Sequence, residues 1–353
     1  MKFINSINHF RALSIILIVM GHLYTFSGIK FESVHENILR NIITGGTFNF
    51  VFISGFLFNS VFYNRFNYKI FIISKAKRVL LPYLILSFIP ILISVYIKSD
   101  FWVMEMNNTN VNNSLSSFVL FLISGAHLIA YWYIPFIILI FLMSPLHKKF
   151  IDLTLKSQMI IVFFLVMISL FIHRPFELEY TFQALHSLIY FTPIYLIGIL
   201  CSLHKEKIYK VGRNKDYILI LVVILIAIFQ NYIGTNGNYQ QNWHEVSGTI
   251  DLMFIQKLFL CLFLMIWLNR FENYNNSTIN FIAKYSFPIF FLHPILLSFS
   301  FIIKNQFNIS FEYPWLALII LTFVFVFVCV GIAMSIAKHL PRYSLFIIGY
   351  KNK

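Results

Sequence analysis

The chain repeats long apolar stretches, and these limit its possible folds more than any other feature. Most have the length that a helix needs to cross the hydrocarbon core of a bilayer. With 59% hydrophobic and 11% charged residues and a mean hydropathy of +0.78, the composition is not that of a soluble globular protein. We therefore predict an all-α, polytopic membrane helix bundle of about ten transmembrane helices, forming a single domain over residues 1–353.

The predicted spans are Phe10–Phe26, Ile42–Phe62, Leu80–Ile97, Tyr131–Leu146, Met159–Ile172, Leu185–Leu203, Tyr217–Gln230, Ile250–Leu268, Ile279–Ile303 and Trp315–Ala337. A further apolar piece, Phe118–Ile123, is too short to span, and we expect it to be interfacial or re-entrant.

The basic residues indicate how the helices are oriented. The net charge of +14 could indicate a nucleic-acid partner, but the cations are scattered over short loops between the apolar stretches. Alternate loops carry most of them, as expected when Lys and Arg stay on the cytoplasmic side. This asymmetry places both termini in the cytoplasm and the polar segments Lys98–Ser117 and Asn231–Gly248 outside. We predict a multi-pass protein of the lipid bilayer with no nucleic-acid partner.

The three cysteines lie in apolar runs without metal-ligand spacing, so we expect neither a metal site nor a disulfide.

The first apolar stretch carries two ionisable side chains, Arg11 near its start and His22 near its end. Eleven residues at roughly 100° each place both on one helix face, about 16 Å apart along the axis. An ionisable group in the membrane costs at least a few kcal/mol unless it has a partner or a function. Alone, Arg11 could be a snorkelling anchor and His22 a helix-packing donor or acceptor. Together they favour a polar track through the protein, with Arg11 at its cytoplasmic end.

Two motifs lie in and after the second span. Ser54 and Gly55 would allow close approach either of a second helix or of a ligand. The cations Lys75, Lys77 and Arg78 could hold phosphates at the cytoplasmic side, or they could be ordinary loop charge.

Later spans contain further polar groups. His293 stands before Pro294, which would bend the ninth span in mid-membrane, and the alternative is a packing histidine. Gln256 and Lys257 lie inside the eighth span, with Asp251 nearer its outer end. These three could form an ion pair or line a cavity, and the sequence does not choose between the two.

In this order the motifs resemble those of acyltransferase family 3, the integral-membrane O-acyltransferases. The matches are Arg11 followed after ten residues by His22, the segment Phe50–Leu57 with its Ser-Gly-Phe, the basic motif Lys75–Arg78 before Leu81 and Pro82, the span with Trp132 and Pro145, and Phe291–Pro294. They extend over most of the chain. It departs from the family at Asn8, where an acidic residue is frequent, and at Lys75, where Arg is usual. Lys75 should still hold a phosphate, although not bidentately.

The resemblance implies transfer of an acyl group, most often acetyl from cytoplasmic acetyl-CoA, to a hydroxyl of a carbohydrate at or beyond the membrane. Bacterial members commonly modify O-antigen, capsule, exopolysaccharide or peptidoglycan. The expected location is therefore the bacterial cytoplasmic membrane, and the acceptor could be lipid-linked. We expect His22 to be the general base or a transient acyl carrier. Arg11 would anchor the donor or stabilise developing negative charge.

The resemblance also assigns the other candidate residues. Those expected to contact acetyl-CoA are Arg11, Ser54, Gly55, Lys75, Lys77 and Arg78, while Trp132 and His293 would lie on the substrate side. An extended pantetheine arm covers most of the roughly 16 Å between Arg11 and His22, so the nucleotide need not cross the membrane.

Two other classes of function compete with acyl transfer. A flippase or exporter of lipid-linked or polymeric sugar would be favoured by paired half-repeats, which the sequence does not show. An accessory membrane subunit without chemistry would leave Arg11, His22 and the basic motif unexplained.

Overall fold

The computed structural model describes residues 4–96, 114–174, 180–240 and 249–351, and these residues form helices and connecting loops without a strand. The first nine helices are α1 (Asn5–His22), α2 (Tyr24–Ser27), α3 (Val34–Ile43), α4 (Gly46–Leu57), α5 (Tyr68–Lys75), α6 (Leu81–Tyr96), α7 (Ser114–Ser124), α8 (Tyr133–Leu142) and α9 (Ser144–Ile151). The other nine are α10 (Leu155–Ile172), α11 (Tyr180–Leu203), α12 (Lys205–Gly212), α13 (Asp216–Tyr232), α14 (Leu252–Asn269), α15 (Ser277–Lys284), α16 (Ser286–Gln306), α17 (Pro314–His339) and α18 (Ser344–Ile348). The all-α prediction is confirmed.

Seven helices within the described residues are long and apolar enough to cross a membrane. They are Val34–Arg65, Tyr68–Tyr96, Leu155–Ile172, Phe182–Leu203, Leu252–Asn269, Ser286–Gln306 and Pro314–His339. The first of them joins α3, α4 and the π- and 3₁₀-helical turns at 58–65, and the second joins α5, a π-helical turn at 76–80 and α6. An eighth would be the pair α8 and α9, which is bent by 57°. The predicted number of about ten is not confirmed. The end of the third predicted span at Ile97, most of Lys98–Ser117 and residues 241–248 lie outside the described residues.

Helix breaks explain most of the difference in number. The first predicted span is divided at Leu23, and α1 is not among the seven helices. The fourth is divided at Met143, because Pro145, in the first turn of α9, lacks the N–H needed to continue α8. The ninth is also divided, at Tyr285 between α15 and α16, but α16 alone is long and apolar enough to remain one of the seven. The seventh forms the shorter apolar helix α13.

Helix α1 lies inside the bundle. It packs against α4, α14, α15, α16 and α17. Phe10 and Ile15 are fully buried, and Val19 is almost so. Because other helices surround it, the face that carries Arg11 and His22 meets protein, as the polar-track hypothesis requires.

Helices α4 and α11 approach each other through two glycines. A Cβ atom at Gly55 would overlap the carbonyl oxygen of Tyr195, and one at Gly198 would overlap the carbonyl oxygen of Phe52. Glycine removes the side chains that would hold two membrane helices apart. Of the two roles considered for Gly55, the structure therefore shows the helix contact.

The break between α3 and α4 accommodates a buried cation. Lys257 on α14 is 1% exposed, and its Nζ donates to the carbonyl oxygens of Asn41 at 2.5 Å and Ile42 at 2.9 Å. These carbonyls end α3, where a helix carries partial negative charge. Lys257 thus has backbone partners, and the described residues include no carboxylate paired with it. Asp251 instead caps α14 by accepting from the N–H of Phe254 and the hydroxyl of Tyr190.

Candidate active site

His22 and His293 meet inside the bundle. The end of α1 brings Nδ1 of His22 to 3.0 Å from Nε2 of His293 on α16. Their rings are nearly parallel, with centroids 5.2 Å apart. His293 is 1% exposed, whereas His22 is only partly buried. The structure thus joins two residues that the sequence analysis had placed in one site without a contact between them.

The hydrogen bonds assign the protons of this pair when both rings are neutral. Nδ1 of His293 lies 2.9 Å from the carbonyl oxygen of Ile289, which can only accept, so that Nδ1 carries the hydrogen. Nε2 of His293 is then an acceptor, and Nδ1 of His22 must donate to it. The lone pair of His22 is left on Nε2, for which the described residues provide no hydrogen-bond partner. This atom can accept a proton from a substrate.

Pro294 and Tyr131 complete the surroundings of His293. A proline inside a helix cannot donate to the carbonyl one turn earlier, and its ring pushes that turn outward. Tyr131, fully buried just before α8, donates its hydroxyl to the carbonyl oxygen of Phe291 at 2.8 Å. Tyr131 therefore holds α16 next to Pro294. The sequence analysis named Tyr131 only as the first residue of the fourth predicted span.

Arg11 lines a cavity about 11 residues, or roughly 16 Å of helix, away from His22. Its Nη2 donates to the hydroxyl of Ser286 at 2.8 Å. The cavity has a volume of about 870 Å³ and is also lined by Ser54, Lys75, Arg78 and Lys284. Among its described lining residues there are four cations and no Asp or Glu. A site of this charge favours an anion with several phosphates.

Only two of the three cations of the basic motif line this cavity. The ammonium of Lys75 lies between the rings of Phe62, Phe71 and Phe141, 4.5–5.2 Å from their centroids. Arg78 lines the cavity and Lys77, which is exposed, does not. Gly55 is also absent from the lining, since it packs against α11.

Arg11 also lines a second cavity, of about 880 Å³. Its lining contains two further cations and two carboxylates: Arg65, Lys205, Glu206 and Glu272. This mixed charge makes it the poorer site for a polyanion. Neither cavity includes His22 among its described lining residues, and the first extends along α16 to Pro288. Pro288 is five residues before His293, about 7.5 Å along the helix.

Trp132, which the sequence analysis expected on the substrate side, contacts aromatic rings and a guanidinium. Its ring stacks near Phe136 and Phe191, and the guanidinium of Arg174 lies 4.8 Å from its centroid. Trp132 lines neither of the two cavities. Arg174 also donates to the side-chain oxygen of Asn238. Sequence reasoning missed this contact, because Arg174 is 42 residues from Trp132 and no local pattern links the two.

One known family matches nearly the whole chain. The model of the acyltransferase domain of acyltransferase family 3 matches residues 4–334. The chain belongs to acyltransferase family 3. The matched region contains Arg11, His22 and His293 and ends before α18. The resemblance seen in the sequence motifs is confirmed.

Relatives of this family member include proteins of Staphylococcus aureus. Those of strains MSSA476, MW2 and MRSA252 are each named probable poly-beta-1,6-N-acetyl-D-glucosamine export protein. Each is 24% identical over 373 residues, covering 97% of this chain and 94% of the relative. No solved structure matches this chain.

Proposed function

We propose that this acyltransferase family 3 protein transfers an acyl group from acyl-CoA, with acetyl as the expected group, to a hydroxyl of a cell-surface carbohydrate. Family membership supports acyl transfer, and the polysaccharide in the names of the relatives supports a carbohydrate acceptor. The charge of the loops supports a bacterial cytoplasmic membrane location with both termini inside.

The observation that carries the proposal is the arrangement of α1. One end of this helix presents the unpaired Nε2 of His22, and the other presents Arg11 to a cationic cavity. A donor with a phosphate-bearing head and a long arm ending in a thioester fits both features. Its head would be held by Arg11, Lys75 and Arg78, near the exposed Lys77, and its arm would pass Ser54 towards the histidines.

In the proposed reaction, Nε2 of His22 accepts the proton of the acceptor hydroxyl as the oxygen attacks the thioester carbonyl carbon. The carbon–sulfur bond then breaks, and the leaving thiolate takes the proton from His22. The ring of His22 is positively charged between these steps. Its Nδ1–H continues to donate to His293, and the C-terminal end of α1 favours a cation at this position.

The test is transfer of radiolabel from acetyl-CoA to polysaccharide in membranes that contain matched amounts of each variant. His22→Ala should lower the rate by about 10²–10⁴-fold, because it removes the proposed base. Arg11→Ala should raise the KM for acetyl-CoA. Retention of the full rate by His22→Ala would contradict the catalytic role, and absence of label transfer by the wild-type protein would contradict the proposed function.

The second candidate is export of a polysaccharide, which the names of the Staphylococcus aureus relatives favour. Export predicts movement of labelled polymer into or out of proteoliposomes without acyl-CoA. It also predicts that His22→Ala affects this movement no more than other buried substitutions do.

A further inference from the structure

The C-terminal tail forms part of the wall of the cationic cavity. The family match ends at residue 334, yet the chain continues through α18 and returns to the bundle. Ile348 is fully buried, so the tail is docked on the bundle at this point. Gly349 and Tyr350, which follow it, line the same cavity as Arg11 and Lys75.

Gly349 fixes where the tail turns. Its φ angle is +69°, a conformation that L side chains rarely adopt. A Cβ atom here would overlap the carbonyl oxygen of Arg78 in the basic motif. Only glycine allows both the turn and this close approach, and the turn places Tyr350 on the cavity wall.

Tyr350 stands in a cluster of aromatic and polar groups. Its ring centroid is 4.7 Å from that of Tyr285, and the ammonium of Lys284 lies 5.4 Å and 5.6 Å from the two centroids. On the same wall, the Nδ2 of Asn280 donates to Asn275 at 2.7 Å. Its Oδ1 is buried and has no hydrogen-bond partner within the described part of the chain.

These groups have the chemistry needed for a purine nucleotide. An aromatic ring can stack on a nucleotide base, because every base presents a flat π-face. The unpaired amide oxygen of Asn280 can accept from an exocyclic amine, and Lys284 can hold a phosphate. Lys75 and Arg78, which line the same cavity, carry the cations for a diphosphate.

We propose that Tyr350, Lys284 and Asn280 bind the adenosine 3′-phosphate end of acyl-CoA, so that the C-terminal tail is a part of the donor site. This rests on the proposed function, in which acyl-CoA is the donor. The pantetheine arm then leaves this wall past Arg11 in the direction of His22.

The experiment measures equilibrium binding of CoA and of adenosine 3′,5′-bisphosphate to the full-length purified protein. Tyr350→Ala should weaken binding of both about tenfold, the size expected for loss of one stacked base. Tyr350→Phe should restore it, because the ring is kept. The matched control is Tyr343→Ala, since Tyr343 lies on the same tail, is 60% exposed and does not line the cavity.

Binding of 4′-phosphopantetheine, which lacks the adenosine, distinguishes a local effect from misfolding. Tyr350→Ala should leave this binding unchanged, and an equal loss for all three ligands would overturn the proposal. Equal CoA binding by the wild-type and Tyr350→Ala proteins would also overturn it while leaving the proposed function intact. A wild-type protein that binds CoA but transfers no acyl group would contradict the proposed function alone, and one that binds no CoA would contradict both.

Discussion

Nδ1 of His22 lies 3.0 Å from Nε2 of His293, although 271 residues separate them in sequence. This contact predicts that His293 positions His22. It also predicts that a hydrogen-bond acceptor in the side chain of residue 293 matters more than an imidazole ring there. His293→Gln keeps a carbonyl acceptor and should lower kcat for acyl transfer less than tenfold. His293→Ala should lower it by roughly 10–100-fold, with little change in the KM for acyl-CoA.

The measurement is the rate of label transfer at saturating acyl-CoA, normalised to the amount of folded protein. His339→Ala is the matched control, because His339 is an exposed histidine at the end of α17. Equal rates for His293→Gln and His293→Ala would contradict the positioning role of the acceptor.

Lys75 should contribute charge to donor binding. Lys75→Met keeps an unbranched apolar stem among Phe62, Phe71 and Phe141 but removes the ammonium. Because a hydrogen bond to a charged group contributes about 1.5–3 kcal/mol, the KM for acyl-CoA should rise at least tenfold. Steady-state kinetics at several acyl-CoA concentrations check this. Lys69→Met, an exposed position on the same helix, should leave the KM unchanged.

Lys257 should stabilise the break between α3 and α4. Lys257→Met leaves the carbonyl oxygens of Asn41 and Ile42 buried without their donor, which costs about 1–3 kcal/mol for each unsatisfied group. We expect a lower melting temperature of the detergent-solubilised protein. The control Lys156→Met changes an exposed lysine on α10 and should leave it unaltered. An unchanged melting temperature for Lys257→Met would show that these two hydrogen bonds contribute little.

The sequence predicts the features that depend on local geometry. Helical periodicity places Arg11 and His22 on one face, because that relation needs only the residues between them. It does not predict the partner of His22, which comes from a helix far along the chain. It also leaves Lys257 unresolved, since the partners of this ammonium are backbone carbonyls and carry no residue-type signal.

The number of spans is harder to predict, because a break in a helix need not interrupt the apolar run that contains it. The breaks at Leu23 and Met143 lie within apolar runs, so hydropathy continues across them while the helix does not.

Gly55 shows the limit of sequence-based prediction for a single residue. A glycine in a membrane helix fits a ligand passage and a helix contact equally well, and only the position of Tyr195 decides.

Gly55→Ala should prevent the close approach of α4 and α11. The added methyl group would overlap the carbonyl oxygen of Tyr195, and a backbone atom cannot move aside as a flexible side chain can. Overpacking of this kind typically costs 1–3 kcal/mol or more. We expect a smaller yield of monodisperse protein in size-exclusion chromatography and a lower melting temperature. Gly331→Ala is the matched control, because no atom lies within 4 Å of the position of its Cβ. If Gly55→Ala and Gly331→Ala gave the same yield and melting temperature, the glycine contact would not be what holds these two helices together.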